Sequence, residues 1–124
     1  MAEKTAEECI RRILVDIKKR KNVDYADKLS VSRYNAAYDR LYANAKYIND
    51  NYPAQLSLLT ELFNHPDLEV VTHCAPLVFR LDKATREQKL FAIETIKNAI
   101  QDSRMDDISK LGFSMSLKNW EKQV

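Results

Sequence analysis

A single glycine, Gly112, and only three prolines stand in a chain of 124 residues. Tight hairpin turns draw on residues that tolerate positive φ or carry a fixed one, so this scarcity argues against a sandwich or barrel. It also excludes the Gly-rich phosphate loop of a Rossmann or P-loop nucleotide site. Apolar residues make up 45% of the chain, enough to bury a sizeable core without disulfides or a metal. The expectation is an all-α fold in one domain covering residues 1–124.

Apolar spacing places the helices. Thr5 and Glu8 have capping-box spacing, and Ala6, Ile10, Ile13, Leu14 and Ile17 then recur at helical intervals. Residues 22–29 read as a connection, after which Ser30 or Ser32 can cap a second helix. Its stripe is Tyr34, Tyr38, Leu41, Ala45, Ile48 and Tyr52, where a tyrosine is ordinarily core with its hydroxyl satisfied. Tyr42 and Tyr47 fall off that stripe and are expected to be exposed.

Pro53 suits the first position of a third helix, running to Phe63 with Leu56, Leu59, Leu62 and Phe63 inward. His65 caps the turn at Pro66, and Asp67 caps a fourth helix, Leu68 to Leu81. That helix buries Val70, Val71, Cys74, Leu77, Val78 and Leu81. Pro76 lies inside it, removes the hydrogen bond to the Thr72 carbonyl and should bend it. Thr85 and Gln88 have capping-box spacing for a fifth helix, whose stripe is Leu90, Ile93, Ile96 and Ile100. A second, flatter face carries Phe91, Ala92, Thr95 and Ala99. The chain then loosens, Gly112 and Phe113 form an entry turn, and a short C-terminal helix from Ser114 or Ser116 to Lys122 docks through Leu117 and Trp120.

Charge is nearly balanced, with 20 basic and 18 acidic residues and a net +2, too even for a general polyanion binder. Lys18, Lys19, Arg20 and Lys21 close the first helix, where cations complement the macrodipole. The same four form a candidate basic patch for a phosphate or acid. Cys9 and Cys74 are expected as reduced, largely buried thiols. The opening residues carry no signal core, and no run of about 18 apolar residues exists, so no membrane span and a cytoplasmic location are expected.

The stretch from Leu58 to Val70, Leu-Leu-Thr-Glu-Leu-Phe-Asn-His-Pro-Asp-Leu-Glu-Val, resembles a HEAT-like repeat. That pattern has a leucine-rich first helix, a His-Pro-Asp turn and a second helix with small contact residues, here Cys74 and Ala75. With Ala84, Leu90, Ile93, Ile96, Leu117 and Trp120, residues 34–122 resemble a small bacterial family of HEAT-like proteins known only as a domain of unknown function. Val71 stands where the repeat usually has arginine, and Pro76 where alanine is commoner. The resemblance implies an α-α superhelix of antiparallel helical hairpins, five main helices plus the short C-terminal one. It carries no catalytic residue over.

His65, His73 and Cys74 lie close in sequence, yet adjacent residues on a helix point about 100° apart, so no metal is expected. A cysteine on an apolar stripe is inert, and the carboxylate pairs Glu7-Glu8 and Asp106-Asp107 diverge, so no enzyme activity, catalytic residue or cofactor is expected. On the fourth helix Glu69, Thr72, His73, Pro76 and Arg80 lie opposite the core stripe and form the candidate surface for a protein partner. The expected function is a non-enzymatic interaction module or adaptor, with immunity-like masking of a partner as one form. The alternative is nucleic-acid binding through the basic end of the first helix.

Overall fold

The structure is a computed structural model and describes residues 4–124. The first three residues, part of the opening segment read above, lie outside the described ones. Among the described residues all regular structure is helical, with no strand. The order is α1 (Ala6–Arg20), α2 (Lys28–Asn51), α3 (Ser57–Glu61), α4 (Leu68–Arg80), α5 (Arg86–Ala99) and α6 (Asp107–Gln123). This is the all-α plan of five helices and a C-terminal one.

Capping side chains set most of the starts. The Thr5 hydroxyl accepts the Glu8 N–H at 3.1 Å. Thr85 and Gln88 satisfy each other's backbone N–H groups at 3.1 and 2.9 Å, a complete capping box. Asp67 accepts the Glu69 N–H at 3.0 Å and starts α4. Two starts differ from the sequence reading. Asp27, not Ser30 or Ser32, caps α2, taking the Leu29 N–H at 3.0 Å. Ser30 is occupied elsewhere, accepting the Asp24 N–H at 2.8 Å. Asp106 caps α6 through the Ser109 N–H at 2.7 Å, so α6 begins well before Ser114 and holds Gly112 in its interior.

The segment expected as one helix from Pro53 to Phe63 is instead a short α3 between two 3-10 turns, Pro53–Gln55 and Leu62–Asn64. The second is the usual tightening of a final turn, and it stops where His65, forced out of the helical region by Pro66, is extended. α4 runs unbroken through Pro76.

Two antiparallel hairpins organise the packing. Along α1 the contacts step from Lys4 with Asn44, through Asp16 with Arg40, to Arg20 with Tyr34, so α2 runs back along α1. α4 and α5 pair likewise: the Lys89 ammonium sits 6.0 Å over the Phe79 ring, while Val71 shares a depression with Thr95 and Ala99 at the other end. One core cluster gathers Ile13, Leu41, Ile48, Leu59, Cys74, Leu77 and Ile96, all essentially without exposure. Each such leucine or isoleucine side chain contributes roughly 1.5–3 kcal/mol by leaving water. α6 joins through Leu117 and through Trp120, whose ring lies 5.1 Å from that of Phe79.

On α5 the buried face is Ala92, Ile93, Thr95, Ile96 and Ala99, whereas Leu90 and Phe91 are exposed. The expected stripe is thus rotated: the small residues Ala92 and Ala99 are buried, and the bulky ones sit at the margin. Tyr42 and Tyr47 are half-buried against the core rather than exposed. Among the described residues no helix is long and apolar enough to cross a membrane.

Candidate functional site

Glu69, Thr72, His73, Pro76 and Arg80 recur every three or four residues, which on α4 places them on one face. All five line a single cleft of about 380 Å³. The end of α1 and the start of α2 contribute Arg20, Tyr34 and Tyr38 to its rim. The approach to α6 and its first turns contribute Arg104, Met105, Asp106, Ser109 and Phe113. The polar face of α4 is therefore part of a concave surface. Glu69 and Arg80 stay exposed, whereas Thr72, His73 and Pro76 are half-buried. The His73 side chain retains only 16% exposure, because Arg20 and the α6 segment close over a face that periodicity alone marks as open.

His73 Nδ1 donates to the Glu69 carbonyl at 2.6 Å and lies 3.8 Å from its carboxylate. Burial, aided by the Arg20 charge, pulls the imidazole below its usual pKa of 6.5, against the opposing pull of Glu69. The ring is thus neutral at pH 7. Thr72 donates its hydroxyl to the Leu68 carbonyl at 3.0 Å. Pro76 has no N–H, so the Thr72 carbonyl loses its normal helical donor.

The four cations ending α1 do not form one patch. The Arg20 guanidinium turns into the cleft and stacks on two rings, its central carbon 3.9 Å from the Tyr34 centroid and 4.9 Å from that of Tyr38. Lys21 is paired with the Asp67 carboxylate, which ties α1 to the cap of α4 and holds that carboxyl below its usual pKa. Lys18 and Lys21, one turn apart, border one depression with His65 and Val70, and Lys19 borders another with Arg33 and Arg40. Helical spacing sends successive side chains about 100° apart, which accounts for the dispersal.

Arg80 Nη1 donates to the Tyr38 hydroxyl at 2.7 Å. Tyr34 and Tyr38, expected in the core, are half-buried wall residues of the cleft. Their signal was present: two tyrosines one helical turn apart, beside an arginine at a helix end, are the makings of a cation–π stack. The α6 side of the cleft was missed with the start of that helix.

The remaining sequence-marked residues are structural. His65 Nδ1 accepts the Asp67 N–H at 3.0 Å and caps the turn. Cys9 and Cys74 are free and fully buried. Burial pushes the Cys74 thiol up to about 12 and the Cys9 thiol upward as well. Among the described residues no group of three or more His, Cys, Asp or Glu is placed to hold a metal. α6 also carries an outward apolar stripe of Ile108, Leu111 and Met115, with Ile108 86% exposed. No protein-family model, curated protein or solved structure matches this chain.

Proposed function

We propose that the chain is a non-enzymatic protein-interaction module that engages its partner through the cleft over α4. The observation that carries this reading is the lining: Arg20, Arg80, Tyr34 and Tyr38 share one open concave surface, and arginine and tyrosine are the residue types that dominate interface hot spots. The HEAT-like pattern at residues 58–70 points the same way, since stacked hairpins present their second helices as a binding face. A cytoplasmic, immunity-like adaptor that masks a partner is the concrete form.

A photo-crosslinking residue at Glu69, on the cleft, should capture a protein in the native host that the same residue at the exposed Glu94 of α5 does not. Equal capture from both positions, or none from position 69, overturns the reading.

Nucleic-acid binding has an observation of its own. Lys4, Arg11, Arg12, Lys19, Arg33 and Arg40 border two adjoining depressions on the α1–α2 hairpin, and the acid among the lining residues, Asp16, is already bonded to Arg40. On that reading duplex DNA binds with steep salt dependence, and replacing Arg11 and Arg12 by Ala lowers the salt slope by about one per lost phosphate contact. Anisotropy titrations of a labelled duplex at several salt concentrations decide it.

A further inference from the structure

Tyr38 holds two arginines at once. Its ring carries the Arg20 guanidinium and its hydroxyl receives Arg80 Nη1. Stacking on Tyr34 and Tyr38 fixes the plane of Arg20, and the hydroxyl fixes the reach of Arg80, so both forks are ordered before any ligand arrives. Among the described residues neither arginine has a carboxylate within ion-pair distance, whereas Arg104 on the same cleft is paired with Asp102 at 2.9 Å. Neither acid of the cleft pairs with them. Asp106 takes the backbone N–H and the hydroxyl of Ser109 at 2.7 and 2.9 Å, and the Glu69 carboxylate stays largely in water, 3.8 Å from the His73 ring. In addition, Arg20 Nε is buried without a hydrogen-bond partner among the described residues. A buried donor left unmade is costly, and two cations converging on one ring repel each other.

We propose that the cleft receives a carboxylate from an acidic side chain of the partner protein, gripped between Arg20 and Arg80 across Tyr38. A carboxylate has two oxygens and can accept from both forks, relieving the repulsion that neither wall relieves now. The cleft is larger than one carboxylate, and Tyr34, Pro76 and Phe113 on its lining offer apolar contact to the residues flanking the acid, which a free inorganic anion could not use. The grip rests on reading the cleft as a protein interface. His73 is a built-in reporter: the Arg20 charge helps to depress its pKa, and an anion that screens Arg20 raises it.

The experiment uses the intact chain with arginine Nε and histidine resonances followed by NMR. The probes are a capped pentapeptide with a central Glu between two aromatic residues, its Glu→Gln counterpart, inorganic phosphate and a short DNA duplex. The expected result is that the Glu peptide alone shifts the Arg20 Nε–H resonance and raises the His73 pKa. Arg80→Gln should weaken that peptide by about tenfold or more. Arg80 is exposed, so this variant keeps its fold even where Arg20→Gln does not. Phosphate binding as tightly as the Glu peptide overturns the assignment in favour of a free-oxyanion site, and a duplex that displaces the peptide from Arg20 overturns it in favour of nucleic acid. Absence of any shift with the Glu peptide at millimolar concentration overturns it outright. If position 69 still captures a protein while the Glu peptide leaves Arg20 unmoved, the interface stands and the carboxylate grip falls.

Discussion

The Asn49 side-chain amide donates to the Asp82 carboxylate at 2.7 Å, while its carbonyl oxygen accepts the Lys83 N–H at 3.0 Å. Asn49 is 2% exposed, and its amide donates also to Asp50 at 2.9 Å. One buried side chain thus latches the end of α2 to the loop joining α4 and α5. Asn49→Ala strands the Lys83 N–H and opens a small cavity, and should cost about 2–3 kcal/mol. Asn49→Asp should do more damage, since it replaces the amide donor by a third carboxylate facing those of Asp50 and Asp82. Urea midpoints measure both, and a change below about 0.5 kcal/mol for the alanine variant, the range of ordinary surface substitutions, would show that the latch does not tie the two hairpins.

Arg40 reaches back from α2 to Asp16 on α1, donating from Nε and Nη2 to the same carboxylate oxygen at 3.1 and 3.0 Å. The acid is 6% exposed and the guanidinium side chain 51%. Removing the arginine strips the buried carboxylate of its hydrogen-bonded charge partner, and Arg40→Ala should cost about 1–3 kcal/mol, below the figure for a fully buried pair because half of Arg40 is in water. Asp16→Asn, which removes the charge and keeps an acceptor, should cost less. A double-mutant cycle with no coupling between the two positions would contradict this.

Local signals are legible in the sequence, and contacts between distant segments are not. Thr5, Asp67 and Thr85 announced their helices because capping is local, and Leu59, Cys74 and Ile96 fell on the core because periodicity reports which face is apolar. Asp16 did not, since nothing in its own neighbourhood names a partner 24 residues away. Tyr34 and Tyr38 were misplaced for a related reason. A stripe gives direction, while the depth of burial depends on how far the neighbouring helix reaches, and here Arg20 stops short and stacks on their rings. The five residues of the α4 face were legible as one face. That they line a cleft was not, because α6 begins with Ile108, Leu111 and Met115 turned to solvent, a pattern that marks no core-facing helix.

Stability should fall with acid in two stages. For His73 the folded pKa lies below the ordinary 6.5, chiefly through burial. The unfolded chain then binds more protons, so stability declines as pH falls below about 6.5. The charged groups around the ring are Glu69 and Arg80 of α4, Asp67 at its cap, Arg20 of α1, and Arg104 and Asp106 at the entry to α6. For the depressed carboxylates the sign is the same at lower pH. The hydrogen bond from Lys21 lowers Asp67, that from Asn49 lowers Asp82, and Arg104 holds Asp102 at about 2. Their stabilisation is complete above the ordinary carboxylate pKa of about 4 and is lost below it. His73→Gln should abolish the first decline in a series of denaturation curves and leave the second. A first decline that survives the substitution would assign it to another group.

Gly112 offers the most direct test of α6. It lies six residues inside a helix that runs from Asp107 to Gln123, its φ is not positive, and a Cβ built on it meets nothing within 4 Å. Glycine in a helix interior costs roughly 0.5–1 kcal/mol relative to alanine, through its greater freedom in the unfolded chain. Gly112→Ala should therefore raise stability by about that amount. If residues 112 and 113 formed a turn before a helix starting at Ser114, the gain would vanish or change sign. The neighbours supply the contrast. Ile108→Ser, on the outward stripe, should leave the melting temperature nearly unchanged, whereas Leu117→Ala, at a buried site, should cost about 2–5 kcal/mol. A stabilised alanine variant with a tolerant position 108 and an intolerant position 117 fits one continuous helix docked by its C-terminal half. A destabilised alanine variant would place a break in α6 at residue 112 and remove the helical wall from the cleft.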